Sequence, residues 1–170
     1  MGAAVARRLA GDGIRVVVNS ARSASAGKEL AAELPDAVYV QGDVADTADA
    51  GRIVAETIET YGRLDILVNN AGTTRFIPLE DLQAADAAVW REIFGVNVFG
   101  VWQLTTAAVP YLQQSPSAAI VNISSVSAPL TRRCTVSVRP RTWPRPCTTS
   151  PAPRTPPVTC SPWMGGRHIV

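Results

Sequence analysis

Acidic residues are absent from the last 40 positions of this 170-residue chain, and Lys28 is its one lysine. All 14 aspartates and glutamates lie within residues 1–130 together with 9 basic residues, which gives that part a net charge of −5. Residues 131–170 hold 7 arginines and no acidic residue, which gives +7. The overall charge of +2 therefore conceals two different compositions that meet near Leu130.

Long apolar runs are also missing. No run of 18 uninterrupted apolar residues occurs, so we expect no membrane span. Arg7, Arg8 and Asp12 interrupt the amino-terminal region, which argues against a secretory leader, and we expect a cytoplasmic protein. The apolar content of 46% and the charged content of 18% are typical of a globular α/β domain.

Metal ligands are scarce. The 3 cysteines and the single histidine all lie in the tail, and the cysteine spacing matches no zinc pattern (Cys134, Cys147, Cys160, His168). We therefore predict no metal site. The positive tail carries Trp143 and Trp163, which could stack on bases, but the rest of the chain has no nucleic-acid-binding pattern, and we expect no nucleic-acid partner.

Short apolar runs alternate with amphipathic helical patterns over residues 1–130. Strands are predicted at Ile14–Asn19, Val38–Gln41, Leu64–Val68 and Ala119–Ile123. Helices are predicted at Gly2–Leu9, Ser23–Leu34, Asp46–Tyr61 and Leu82–Leu112. The predicted buried stripe of the last helix consists of Val89, Trp90, Ile93, Phe94, Val98, Val101, Leu104 and Val109. This alternation predicts an α/β fold with a parallel, doubly wound sheet.

The tail, residues 131–170, has neither a strand pattern nor a helical period. It holds 8 of the 13 prolines, which exclude a continuous helix. One interpretation is a disordered Pro/Arg-rich segment. Another is a frameshift after about residue 130, since Arg, Pro, Thr, Ser, Cys and Trp are common when GC-rich coding DNA is read out of frame. The nucleotide sequence distinguishes the two.

Polar residues stand where the predicted strands end. Asn69-Asn70-Ala71-Gly72 follows one strand, Gly42-Asp43-Val44 ends another, and Ser124-Ser125 follows a third. Asn97 interrupts the apolar surface of the longest helix. Ligands bind at the carboxyl ends of strands in open α/β sheets, so these positions are candidates for one site.

The four motifs, by their order along the chain and by their spacing, resemble the short-chain dehydrogenase/reductase family over residues 2 to about 128. The resemblance implies a Rossmann-type fold, a nicotinamide dinucleotide cofactor and a small carbonyl or alcohol substrate. The reaction it implies is alcohol/carbonyl interconversion by hydride transfer. Family members form homo-oligomers through two long helices. Only the first of these helices has a counterpart here, in residues 82–112, so we do not expect the usual assembly.

The resemblance also implies cofactor contacts. Gly2 matches the last glycine of the phosphate-binding loop, and Asp43, with the backbone of Val44 beside it, matches the position that meets the adenine. Asn70, Ala71 and Gly72 match the loop along the ribose. Asp43 has an alternative role as a helix cap, and the Asn-Asn-Ala-Gly run has one as a simple turn.

Two catalytic roles follow from the same resemblance. Asn97 matches the asparagine that supports a proton relay, and Ser125 matches the serine that hydrogen-bonds the substrate carbonyl. Asn97 could instead satisfy backbone groups at a helix kink, and Ser125 could be an ordinary polar residue at a strand end. For the cofactor, Arg22 follows the second family strand where NAD-binding proteins place a carboxylate, which favours NADP and leaves NAD possible.

Both ends depart from the family pattern. The first family strand and two of three loop glycines have no counterpart, so we expect a chain truncated at its amino terminus. The catalytic Tyr-x-x-x-Lys should begin near position 138, but the last tyrosine is Tyr111 and no lysine follows Lys28. We therefore expect an impaired oxidoreductase; the alternative is a non-catalytic dinucleotide-binding remnant or pseudogene product. Accordingly, residues 1–130 are predicted as a partial dinucleotide-binding domain.

Overall fold

A computed structural model describes residues 1–78 and 80–125. Met1–Ile123 form one compact unit, and the last described residues, Ser124 and Ser125, belong to a second. The predicted tail at 131–170 and the domain boundary at 130 lie outside the described residues, as do the cysteines and His168.

Helices and parallel strands alternate along this unit, as the sequence predicted. The strands are β1 (Val16–Ser20), β2 (Ala37–Gln41), β3 (Ile66–Asn69) and β4 (Ala119–Asn122). The helices are α1 (Gly2–Gly11), α2 (Ala24–Glu33), α3 (Thr47–Tyr61), α4 (Ala87–Phe94) and α5 (Val101–Leu112), with a short 3₁₀ turn at Leu82–Ala84.

The strands form two parallel pairs with helices on both faces. β1 pairs with β2, starting at Val16↔Ala37, and β3 pairs with β4. Alternate residues of β1 face opposite layers: Val16 and Val18 pack in a core with α1 and α2, whereas Val17 packs against the core of α3 and α5. Side chains on a strand alternate between faces, so this division confirms the doubly wound Rossmann-type arrangement.

A gap separates the two strand pairs. A cavity of about 420 Å³ is lined by β1 from Val16 to Asn19 on one side and by the whole of β3 on the other. Residues of α1 line it from one face, and residues of α3 and α5 line it from the other. Among the described residues, no strand bridges β1 and β3.

Local signals set the helix ends. Asp46 caps α3, because its side chain accepts a hydrogen bond from the Asp49 N–H at 2.9 Å. Gly62 ends the same helix with φ 72°, a left-handed conformation that glycine adopts without steric cost. The cap of α3 is thus Asp46 and not Asp43, the alternative considered from the sequence.

The long helix predicted at 82–112 is divided, and three residues of its predicted buried stripe are exposed. A π-helical turn, Gly95–Gly100, separates α4 from α5. Trp90, Phe94 and Val98 are 55%, 42% and 46% exposed. Leu104, which also belongs to the predicted stripe, is buried, together with Gly100, Ala108 and Leu112. Apolar residues occupy two faces of this helical region, and periodicity alone does not distinguish the face that packs.

The same region meets a simple criterion for crossing a membrane. Ala87–Leu112 is 26 residues long and contains an 18-residue window with a mean hydropathy of 1.3. A core helix of a soluble protein passes the same test, and Leu104, Ala108 and Leu112 belong to the main core here. The expectation of no membrane span, based on uninterrupted runs, stays a prediction.

Candidate functional site

A shallow groove lies at the carboxyl ends of β1 and β2. It encloses about 490 Å³ and is lined by residues that include Arg22, Asp43, Asp49 and Arg52. Arg22 is exposed and has no hydrogen bond or ion pair with the residues that the structure describes. Its guanidinium is therefore available to an anionic ligand in this groove.

The other charged groups of the groove are paired. Arg52 contacts Asp49 at 2.6 Å, Glu56 at 2.8 Å and the Gln41 carbonyl at 2.7 Å. The Asp43 N–H donates to Asp49 at 2.8 Å, and this bond, followed by Arg52, lowers the pKa of the Asp49 carboxyl. These contacts hold the groove floor in one arrangement.

Asp43 shapes the turn after β2. Its Oδ1 accepts a hydrogen bond from the Ala45 N–H at 2.9 Å. This bond closes an Asx turn, which fixes the backbone that leads into α3. Its predicted contact with adenine stays a prediction, as do the ligand contacts predicted for the other site residues.

Four predicted cofactor residues from separate elements line the gap between the strand pairs. They are Gly2 at the start of α1, Val44 after β2, and Asn70 and Ala71 after β3. Met1 is the N-cap of α1 and makes no side-chain cap hydrogen bond; its carbonyl accepts from the Ala4 and Val5 N–H groups. The first N–H groups of α1 therefore remain available to an anion.

The Asn97 amide joins the π-helical turn to the loop after β3. Its Oδ1 accepts from the Thr73 N–H and its Nδ2 donates to the Thr73 carbonyl, both at 2.8 Å. Gly72 lies beside this pair, since a Cβ there would be 3.5 Å from Asn97 Oδ1. Asn97 thus satisfies backbone groups, as the alternative interpretation of the sequence expected. These backbone groups belong to Thr73, in the loop after β3, and not to a kink in the helix that carries Asn97.

Replacing Asn97 should release this loop. Asn97→Ala removes both bonds to Thr73 and is expected to destabilise the fold by about 1 kcal/mol. Amide hydrogen exchange at Thr73 should become faster, because its N–H loses its acceptor. Asn97→Asp is the matched control, since it keeps an acceptor for the same N–H. Unchanged Thr73 exchange in Asn97→Ala would contradict the assignment.

Asn69 was not selected from the sequence as a site residue, although it begins the Asn-Asn run. Its side chain is 5% exposed, and its Nδ2 donates to Asn122 at 2.8 Å and to Thr105 at 3.4 Å. These bonds join β3 to β4 and α5. A polar residue at a buried strand end was the available signal, but the identity of the partners depends on the fold.

Ser125 is exposed and lies in the second unit, so its predicted contact with a substrate carbonyl stays a prediction. No group of three or more histidine, cysteine or acidic side chains within 1–78 and 80–125 is placed to hold a metal ion.

Comparison with known proteins identifies the family. The short chain dehydrogenase profile matches residues 1–137. The chain belongs to the short chain dehydrogenase family. A solved family structure from Burkholderia xenovorans is 32% identical with a TM-score of 0.67, covering 74% of this chain and 55% of that one. The resemblance seen in the strand-end motifs is therefore confirmed.

Curated short chain dehydrogenase relatives are roughly twice as long as the matched region. A Streptomyces violaceoruber protein, named as ketoacyl reductase 2 of the granaticin polyketide synthase, is 58% identical over 127 residues, 75% of this chain and 51% of that protein. A 3-oxoacyl-[acyl-carrier-protein] reductase of Synechocystis is 34% identical over 131 residues, 75% of this chain and 52% of that protein. The chain spans about half the length of these relatives.

Proposed function

We propose that this chain binds a nicotinamide dinucleotide, with NADP preferred over NAD, along the carboxyl edge of its strands. The observation that carries the proposal is that Gly2, Val44, Asn70 and Ala71, from three separate parts of the chain, line one cavity. A ligand that extends from the start of α1 to the end of β3 would contact all of them. At the far end of the cavity, the Asn97 side chain holds the loop that contains Gly72 and Thr73.

The residues present fit the adenosine part of such a cofactor. Arg22 in the adjacent groove is suited to the 2′-phosphate of NADP. Asp43 in the same groove, with the backbone of Val44 beside it, is suited to the adenine. The start of α1 would hold the pyrophosphate through backbone N–H groups. The bound cofactor would supply or accept hydride, and this chain's own residues would bind and orient it.

The substrate class follows from the family. We propose a small carbonyl or alcohol substrate, and the names of the two curated relatives favour a ketoacyl group. In this assignment Ser125 orients the substrate carbonyl by donating a hydrogen bond, and Asn97 supports the proton relay. No tyrosine follows Ser125 in the 170-residue sequence to act as general acid.

A second candidate function is dinucleotide binding without turnover. The missing Tyr-x-x-x-Lys favours it, because the sequence after Ser125 holds neither a phenol to transfer the proton nor a lysine to lower the phenol's pKa from its usual value near 10. Calorimetric titration with NADPH and NADH, followed by assays with ketoacyl substrates, distinguishes the two. Absence of binding at millimolar cofactor contradicts both, and binding without turnover favours the second.

Arg22 provides the test of cofactor preference. Arg22→Ala should weaken NADPH binding about tenfold and leave NADH binding unchanged, because only NADPH carries the phosphate that the guanidinium would meet. Arg91→Ala is the control: Arg91 is exposed on α4 and does not line the groove. Equal losses for the two cofactors, or equal losses in the two variants, would contradict the role of Arg22.

A further inference from the structure

The end of β1, just before Arg22, is tied closely to β2. The Gly42 N–H donates to the Ser20 carbonyl at 3.2 Å, and the Tyr39 hydroxyl donates to the same carbonyl at 3.1 Å. The Tyr39 hydroxyl also lies 2.9 Å from Ser20 Oγ, which makes a further hydrogen bond. Ser20 is 6% exposed, so these bonds are sheltered from water and hold the end of the strand in one position.

One side-chain contact extends this attachment beyond the strand. Gln41 Nε2 donates a hydrogen bond to the Ala21 carbonyl at 3.2 Å. The Ala21 carbonyl and the Arg22 N–H belong to one planar peptide unit, so a bond to this carbonyl also restrains the backbone from which Arg22 extends. The Arg22 guanidinium has no such restraint of its own within the described part of the chain.

The next fixed point along the chain is the start of α2. The Gly27 N–H donates to the Ser23 carbonyl at 2.8 Å, which closes the first turn of the helix. The Ser23 side chain makes no capping hydrogen bond, so it adds no second attachment at this helix start. Arg22 therefore lies between two fixed carbonyls, that of Ala21 before it and that of Ser23 after it.

Gln41 is itself held from the side of α3. Its carbonyl accepts a hydrogen bond from Arg52 Nη2 at 2.7 Å, and Arg52 also pairs with Asp49 and Glu56. These carboxylates neutralise Arg52, so Arg22 is the arginine of the groove that pairs with no carboxylate of the described residues. Gln41 thus connects the α3 side of the groove to the segment that carries its unpaired cation.

A restraint on this peptide affects ligands selectively. A bidentate bond from a guanidinium to a phosphate requires the guanidinium plane to face the phosphate oxygens. An exposed arginine on a loose backbone loses more conformational entropy when it adopts that geometry, and the loss weakens binding. Fixing the Ala21–Arg22 peptide therefore favours a ligand whose phosphate meets Arg22, and gives no advantage to a ligand that lacks this phosphate.

We propose that Gln41 is a positioning residue for cofactor choice: its side-chain amide holds the Ala21–Arg22 peptide so that the guanidinium faces the 2′-phosphate of NADP. This inference rests on the proposed function, in which Arg22 meets that phosphate. Gln41 acts through Arg22 and not through a contact of its own with the cofactor. Loss of the Gln41 amide therefore weakens NADPH binding and leaves NADH binding unchanged.

Gln41→Met in the full 170-residue chain tests this role, because it removes the amide and keeps the length of the side chain. Gln41 is exposed, so the substitution opens no cavity in the core. We expect the NADPH affinity measured by calorimetry to fall about threefold, the effect of one exposed hydrogen bond, and the NADH affinity to stay the same.

Gln114→Met is the matched control. Gln114 is also exposed, and its Nε2 donates to a backbone carbonyl, that of Pro110, at 3.0 Å. It does not line the groove, so its replacement should change neither affinity.

A double variant separates positioning from direct contact. If Gln41 acts through Arg22, adding Gln41→Met to Arg22→Ala should cause no further loss of NADPH affinity. NMR relaxation of the backbone amides gives a readout that needs no cofactor. The order parameter of the Arg22 amide should fall in Gln41→Met and stay the same in Gln114→Met.

The outcomes distinguish this inference from the proposed function. If the unmodified chain binds neither cofactor, or if Arg22→Ala leaves NADPH binding unchanged, the proposed function is contradicted and the role of Gln41 is overturned with it. If the unmodified chain binds NADPH through Arg22, equal losses of NADPH and NADH affinity in Gln41→Met overturn this inference alone. A further loss in the double variant, or an unchanged order parameter at Arg22, does the same.

Discussion

Turnover of ketoacyl substrates by the 170-residue chain is expected to be at least about 10²–10⁴-fold slower than that of the Streptomyces violaceoruber relative under the same conditions. The physical reason for this expectation is that the 170 residues hold no tyrosine beyond Tyr111 and no lysine beyond Lys28, so the general acid implied by the family resemblance has no candidate among them. A carbonyl that accepts hydride needs a proton at its oxygen. Without a positioned donor, the proton must come from water.

Loss of NADPH absorbance with an acetoacetyl thioester measures this directly. NADPH binding is measured on the same preparation, so that a low rate is assigned to chemistry and not to failed folding. Ser125→Ala is the informative variant. A residual reaction at the proposed site should fall with it, because Ser125 would donate a hydrogen bond to the substrate carbonyl, whereas a background reaction in solution should be insensitive to it. A rate within tenfold of the relative, or a large loss in Ser125→Ala, would show that the chain retains a working catalytic site.

Gly100→Ala is expected to destabilise the fold by about 1–3 kcal/mol. Gly100 ends the π-helical turn and packs directly on Val44. A Cβ at this position would lie 2.8 Å from Val44 Cγ2 and 3.0 Å from the Val44 carbonyl oxygen. Because the second atom belongs to the backbone, the α5 region and the loop after β2 would have to separate.

Gly51→Ala is the matched control for Gly100→Ala. Gly51 is an exposed position inside α3, and nothing lies within 4 Å of a Cβ built there. Alanine in a helix interior is favoured over glycine by roughly 0.5–1 kcal/mol, so this variant should be more stable than the parent. Urea unfolding followed by circular dichroism measures both. Similar changes of the same sign would contradict the packing of Gly100 on Val44.

If Gly100→Ala also weakens NADPH binding, the two halves of the proposed site are coupled through this contact. Val44 lines the cavity between the strand pairs, and Asn97 lies in the same π-helical turn as Gly100. One tight helix–loop contact therefore positions Val44, and the Asn97–Thr73 pair positions the loop after β3. The turn itself links them.

Two features were predictable only with the tertiary structure. The sequence singled out Asn97, but its partner Thr73 is 24 residues away, and local pattern carries no information about such a pair. The apolar period marked Trp90, Phe94 and Leu104 as buried, but of these only Leu104 enters the core, beside Ala108 and Leu112. Helical periodicity identifies an apolar face and does not say whether another element covers it.

What the sequence by itself determined is the family, the parallel α/β class, the polar residues at the strand ends and the absence of a Tyr-x-x-x-Lys after Ser125. These follow from local patterns: apolar runs of strand length, helical periods and motif spacing. Only the tertiary structure decided that Gly2, Val44, Asn70 and Ala71 share one cavity and that β1 and β3 face each other across a gap. The reason is that strand neighbours are chosen by packing and hydrogen bonding between distant segments, which no local pattern encodes.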